Sequence, residues 1–167
     1  MASRRQFFVV LGTALGLGPL FAWVAAHRGP SAEDAAKVFP IQRNEDGWRK
    51  QLSSAQYDVL REHSTERPYS SPLNQEKRTG TFICAGCGTA LFASTTKFES
   101  GTGWPSFTSP LPGAVGTSVD RSFLMIRTEV HCAQCGGHLG HVFTDGPAPT
   151  GLRYCINGVA MTFTADA

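Results

Sequence analysis

SFLMIRTEVHCAQCGGHLGHVF, residues 122–143, joins two strand-like runs through a C-x-x-C-G turn. SFLMIRTEVHC and GHVF alternate or cluster β-branched and aromatic residues, and the glycines between them break the run, which is how short antiparallel strands read. Outward from this stretch, TGTFICAGC, ALFAST, KFESG, LRYCIN and VAMTFT repeat the same texture. Eighteen glycines and ten prolines, many close together as in SPLPG and DGPAPTG, supply the turns. No helical pattern of ten residues follows Pro72. A mainly β protein is therefore expected. Before Pro72 the pattern is helical: Ser53 and Gln56 form a capping box, and Tyr57, Leu60 and Arg61 continue at helical spacing. SSAQYDVLREH reads as a short helix ended before Pro68, with another helical turn over GWRKQL.

A chain of 167 residues, 41% hydrophobic and 17% charged, accommodates one domain of ordinary core size and a tail. Its net charge of +2 is mild and evenly spread, which sets aside a nucleic-acid surface built on clustered Lys and Arg.

The C-x-x-C-G turn occurs twice, as Cys84-Ala85-Gly86-Cys87-Gly88 and as Cys132-Ala133-Gln134-Cys135-Gly136. Two residues between cysteines let both sulfurs of a tight turn face one ion, and the glycine permits the bend. Four sulfurs close a tetrahedral shell and leave no position for substrate. A structural Zn2+ held by Cys84, Cys87, Cys132 and Cys135, tying together distant parts of the chain, is expected. Iron in the same shell and a pair of disulfide-forming dithiols are the competing readings.

Cys155 is then an odd thiol. With LRYCIN as a strand, Arg153, Cys155 and Asn157 share one face while Tyr154 and Ile156 take the other. A polar, cationic face does not suit a structural cysteine, and Arg153 is expected to favour the thiolate and lower the thiol pKa. His138 and His141 in GGHLGHVF, each preceded by glycine, offer a proton donor. A zinc-ligand role for histidine competes, but four thiolates already saturate the ion. His63 and His131 read as surface or near-metal residues. Trp104, before Pro105 in the Gly-rich SGTGWPSF, reads as an aromatic held on a turn, forming either a pocket wall or a cover over the core edge.

The amino terminus reads as an address. SRRQFFVVLGTALGLGPLFAWVAAH opens with paired arginines and runs without charge from Gln6 to Ala26. Ser3, Arg4, Arg5, Gln6 and Phe7 resemble a twin-arginine export signal. Residues 1–26 are expected to be that signal, cleaved after Ala26 or retained as a membrane anchor, with a linker over 27–43 and the folded domain over 44–167. The expected location is the bacterial periplasm or the outer side of the cytoplasmic membrane, reached by the twin-arginine translocation machinery.

KFESGTGWPSF, RTEVHCAQCGGHLGHVFTDGP and PTGLRYCIN together resemble the methionine sulfoxide reductase B family in order and spacing. The resemblance implies a mainly β fold of two small antiparallel sheets, a β-tent-like distorted barrel, with short N-terminal helices and a structural zinc. It implies reduction of the R epimer of methionine sulfoxide in oxidised proteins, through a sulfenic acid on Cys155. By motif, Cys155 corresponds to the nucleophile, His138 and His141 to the acid and water-organising pair, Arg153 and Asn157 to the polar frame, and Trp104 to the wall against the substrate methyl. The chain departs from many members at Thr102, where GTGWP replaces GCGWP and removes the resolving cysteine. Recycling is therefore expected from a thioredoxin-like partner or a small thiol, and the protein is expected to be a monomer. A cysteine-histidine hydrolase acting on acyl groups, and a zinc-ribbon binding module in which Cys155 is incidental, are the alternatives.

Overall fold

Asn44 accepts a hydrogen bond from the Gly47 amide and opens helix α1, Glu45–Gln51, with acidic residues in its first turn and basic residues in its last, as the helix dipole favours. The computed structural model describes residues 38–167; the expected export signal over 1–26, and the expected linker as far as residue 37, lie outside the described residues. Helix α2, Ser54–Leu60, carries the predicted capping box: the Ser53 hydroxyl accepts from the Gln56 amide and the Gln56 side chain accepts from the Ser53 amide. Both helices bury one face, Trp48 from α1 and Tyr57, Val59 and Leu60 from α2. Among the described residues no helix is long and apolar enough to cross a membrane.

Nine strands follow. β1 (Gly80–Cys84), β2 (Ala90–Ala93) and β9 (Met161–Ala165) form one sheet in the order β2-β1-β9. β3 (Lys97–Phe98), β4 (Ser106–Phe107), β5 (Val115–Asp120), β6 (Arg127–Cys132), β7 (His138–Phe143) and β8 (Arg153–Ile156) form the other, in the order β3-β4-β8-β7-β6-β5. Every pairing is antiparallel. The two antiparallel sheets and two short helices are those expected. Between the sheets lie Phe82, Phe92 and Phe107, with the last two rings stacked at 4.3 Å and Phe82 edge-on to Phe107 at 4.9 Å. Leu91, Val130, Leu139 and Ile156 complete this buried centre.

Two expectations change. SFLMIRTEVHC is not strand throughout, because β6 begins only at Arg127 and residues 121–126 make the turn that returns the chain from β5. Phe123 and Leu124 there adopt φ of 53° and 59°, outside any strand conformation. The end of the expected linker is also held in place: Ile41 donates its amide to the Gln134 carbonyl at 2.8 Å, and the Phe39 ring meets His131 edge-on at 5.5 Å.

Candidate active site and metal centre

Cys84 ends β1 and Cys87 follows in its turn, while Cys132 ends β6 and Cys135 follows in the next. Each turn closes by an amide of the trailing glycine on the first cysteine's carbonyl, Gly88 to Cys84 and Gly136 to Cys132, both at 2.9 Å. Gly88 and Gly136 take φ of 77° and 68°, the left-handed conformation that favours glycine. The sulfurs of Cys84 and Cys135 stand 3.8 Å apart, those of Cys87 and Cys132 3.5 Å apart, and all four lie within 4.8 Å of one another. A metal with bonds of about 2.3 Å to four sulfurs at tetrahedral angles needs sulfur separations of about 3.8 Å. The four cysteines therefore fit one ion, and because Cys84 and Cys132 belong to different sheets, an ion held there would tie the sheets together. Helix α2 adds to the tie, since Arg61 donates to the Cys135 carbonyl at 3.0 Å.

The larger sheet builds the second site. β8 lies between β4 and β7, and its register sets Cys155 opposite Ser106 on one side and His141 on the other. His141 in turn stands opposite Glu129, and Glu129 opposite Ser118. Residues opposite one another on antiparallel strands point to the same face. One polar row thus crosses five strands. His138, three residues before His141, would face away from that row in a regular strand. It does not, because His131 pairs with His138 while Val130 pairs with Gly140, leaving Leu139 as the extra residue of a β-bulge. Leu139 turns into the core with 0% exposure, and the His138 and His141 rings come to 5.4 Å.

Each histidine has a carboxylate. His138 Nδ1 lies 2.7 Å from Glu129 Oε1, and His141 Nε2 lies 2.8 Å from Asp120 Oδ2. Arg127 Nη2 donates to the same Asp120 oxygen at 2.6 Å, and Ser118 Oγ donates to Glu129 Oε2. Trp104, His141, Phe143, Arg127 and Asn157 surround Cys155 in a cavity of about 130 Å³, which adjoins one of about 460 Å³ holding His138, Glu129 and His63. Thr65, Arg127 and His141 line both, so the two form one cleft. Among the described residues, two buried side-chain nitrogens lack a partner, Arg127 Nε and His138 Nε2, and both belong to residues lining this cleft. A larger cavity of about 540 Å³, beside α2 and residues 70–73, has no thiol or imidazole in its wall.

The remaining expected residues frame the thiol. Asn157 is buried, its Nδ2 donating to the Leu139 carbonyl and its Oδ1 accepting from the Glu66 amide, both at 3.0 Å. Trp104 Nε1 donates to the Glu66 carbonyl at 3.2 Å. Arg153 makes a two-pronged pair with Asp145, at 2.9 and 2.8 Å, with its guanidinium over the Phe143 ring. Tyr154 and Ile156 pack inward, as the strand alternation required. Thr102 Oγ1 approaches Cys155 Sγ to 3.8 Å.

The charges differ from expectation at the thiol. Burial raises the Cys155 pKa above its ordinary value, while the Thr102 hydroxyl and Arg153 pull the other way and lose. The direction assigned to Arg153 is right, but Asp145 already holds that guanidinium. Burial also acts to raise Glu129, yet its bonds with His138, His63 and Ser118 outweigh this and hold it well below the usual carboxylate range. Asp120 is likewise held low, by Ser122 first and then by His141 and Arg127. Burial pushes His141 down, against Asp120, whereas His63 is raised, first by its bond to Glu129.

His63 is exposed as expected, yet it belongs to the site: its Nδ1 stands 3.0 Å from Glu129 Oε1 and its ring 5.1 Å from that of His138. Glu129, Asp120, Arg127 and Glu66 were not singled out from the sequence. Their only local signal is a run of polar residues, Arg127 and Glu129, alternating along a strand.

A SelR domain matches residues 52–165. The chain is 54% identical over 133 residues to a protein of Bradyrhizobium diazoefficiens named peptide methionine sulfoxide reductase MsrB, covering 79% of this chain and 96% of that protein. Proteins of the same name from Methanosarcina barkeri and Leptospira interrogans are similar at 52% over 127 residues and 48% over 129, covering 75% and 77% of this chain and 89% and 98% of theirs.

Proposed function

This chain belongs to the SelR-domain family of type B peptide methionine sulfoxide reductases, and from that premise we propose how its cleft reduces a sulfoxide. The enzyme is an oxidoreductase that reduces methionine sulfoxide with electrons from thiols; the R epimer is its substrate. Cys155 attacks the sulfoxide sulfur while an imidazole protonates the sulfoxide oxygen, for a sulfoxide is electrophilic only when its oxygen is protonated or strongly hydrogen-bonded. The oxygen passes to Cys155 as a sulfenic acid and methionine leaves. A first reductant thiol then forms a mixed disulfide with release of water, and a second frees Cys155. Burial disfavours the Cys155 thiolate, so attack needs an acceptor for the thiol proton.

The observation that carries this reading is His138: buried, oriented through Nδ1 by Glu129, and with an unpartnered Nε2. With Nδ1 donating to Glu129, Nε2 carries a proton only in the imidazolium; in that form it is a buried donor without a partner, which costs about 1–3 kcal/mol and which a sulfoxide oxygen relieves. His141, whose charged form burial disfavours, orders water at the same oxygen. Trp104 and Phe143 make the apolar wall for the methyl, and Asn157 and Arg153 hold the strand and the field at Cys155. The mirror-image substrate puts its methyl against the nitrogens and loses the acid. A hydrolase has no comparable support, since relatives about 50% identical over most of the chain carry the name of a methionine sulfoxide reductase.

The metal of the four-cysteine site is zinc in this reading, supported by the sulfur spacing and the closed donor set; when bound it crosslinks the sheets and takes no part in the redox step. Thioredoxin-like proteins or small thiols supply electrons, since Thr102 cannot resolve the sulfenic acid. Export by the twin-arginine route, supported by Ser3–Phe7 and the uncharged run after it, places the enzyme outside the cytoplasm. The test is turnover of separated R and S methionine sulfoxide epimers with dithiothreitol. R-only reduction, abolished in Cys155→Ser with the metal retained, is expected; equal use of both epimers, or an active Cys155→Ser, refutes the assignment.

A further inference from the structure

We propose that Phe123-Leu124-Met125-Ile126 is a docking surface for polypeptide substrate, taking the apolar side chains that flank an oxidised methionine in an extended segment of another protein. The proposal rests on the cleft being the site of methionine sulfoxide reduction.

Four consecutive apolar side chains stand in water here, at 83%, 105%, 46% and 76% exposure, and Val119 across the turn is 64% exposed. Single exposed apolar residues are ordinary, whereas a contiguous patch marks a contact surface. The backbone holds them outward at a cost, because Phe123 and Leu124 are consecutive left-handed residues with full side chains. Asp120 and Arg127 pin the base of this turn: Asp120 Oδ1 accepts from the Ser122 amide at 2.8 Å and Arg127 Nη2 donates to Ser122 Oγ at 3.1 Å. Asp120 also bonds His141, Arg127 bonds Asp120, and both line the cleft. The apolar run is thereby fixed relative to the chemistry.

Its place is the rim. Val119, Ser122 and Phe123 line the outer cavity together with His138 and His141, and that cavity opens into the one around Cys155. About 130 Å³ beside Cys155 holds one side chain, so the chain that bears it must lie across the outer cavity and its edge. Apolar side chains beside the sulfoxide gain by leaving water against such a run. An extended segment with its sulfoxide at Cys155 carries those neighbours onto the exposed run.

The double variant Leu124→Ser with Ile126→Ser changes only outward side chains, and circular dichroism and metal content verify its fold. Turnover is measured on a blocked methionine (R)-sulfoxide and on two peptides, one with Leu and Val around the sulfoxide and one with Ser and Gln. The wild type is expected to favour the apolar-flanked peptide in kcat/KM by about tenfold, the effect of roughly one aliphatic side chain leaving water, and the variant to bring the ratio near one. Wild-type turnover of the blocked amino acid without flank preference overturns the docking surface and leaves the reductase standing. No turnover of any of the three overturns both. Vesicle binding, or a dimer, that the double variant abolishes in the absence of flank preference assigns the run to a membrane or a second copy and also overturns the proposal.

Discussion

Replacing Glu129 by glutamine separates the charge of this side chain from its shape. Oε1 meets both His138 Nδ1 and His63 Nδ1, at 2.7 and 3.0 Å, while Oε2 accepts from Ser118. A glutamine carbonyl can take the place of Oε1, and the Ser118 hydroxyl can rotate to accept from the amide nitrogen, so the cage survives and the charge goes. Hydrogen bonds to charged groups contribute about 1.5–3 kcal/mol, against about 0.5–1.5 for neutral ones. If His138 acts from its charged form and rests neutral, the loss of about 1–2 kcal/mol from the bond that stabilises that charged form lowers kcat/KM about 5- to 30-fold. Two assays apply: R-epimer turnover against pH, and NMR titration of His63. Glu129 is the main cause of the raised His63 pKa, so in the variant that pKa falls toward its ordinary value. Stability follows the same charges. The folded-state pKa of Glu129 is depressed, so its contribution is present above the ordinary glutamate range and lost only as pH falls through the depressed value. The stability gap between wild type and variant is accordingly expected at pH 7 and should close in strong acid. A variant with wild-type kcat/KM and an unmoved His63 titration refutes the reasoning.

Burial keeps the Cys155 pKa high, so alkylation of the resting enzyme by iodoacetamide should be slow at neutral pH and still rising above about pH 8.5, the ordinary thiol value; a plateau below pH 8 contradicts this. Thr102→Cys places a second sulfur where Oγ1 now lies 3.8 Å from Cys155 Sγ. Intact mass after one turnover without reductant should then show a disulfide, a loss of about 2 Da, in place of the wild type's gain of about 16 Da. Chelation under reducing conditions should expose four thiols and lower Tm by about 10 °C or more, since the ion joins the two sheets; an unchanged Tm in the metal-free protein argues that the turns close without it.

What was legible in the sequence was local. The Ser53 capping box, the paired C-x-x-C-G turns and the alternation of Arg153, Cys155 and Asn157 against Tyr154 and Ile156 depend on neighbours a few residues apart, and each stands as expected. The partners of the histidines were not legible, because Glu129 and Asp120 reach them through the register of β5, β6 and β7. The run Ser122–Ile126 misled for a related reason: its apolar residues look like strand, but the hairpin must reverse between Asp120 and Arg127. Composition cannot show which apolar residues a turn turns outward. The thiol is the clearest case of competing terms. Arg153 is two residues away and visible at once, whereas the burial that outweighs it comes from elements distant in the chain.

The four-cysteine cluster and the polar row across the larger sheet meet at Leu139. The second cysteine turn ends at Gly136, and the Gly137 carbonyl accepts from the Cys132 amide at 2.9 Å, so β7 leaves the metal turn with its starting position set. Two residues later the bulge lets Leu139 enter the core and swings His138 back to the face of His141. The Leu139 carbonyl then accepts from both the amide and the side chain of Asn157, at 2.8 and 3.0 Å, which fixes the end of the strand that carries Cys155. One irregular residue therefore sets His138 on one side and Cys155 on the other, and a register slip in β7 would displace both together. An ion held by the four cysteines would act on the cleft through this link, by restraining the turn from which that register is counted.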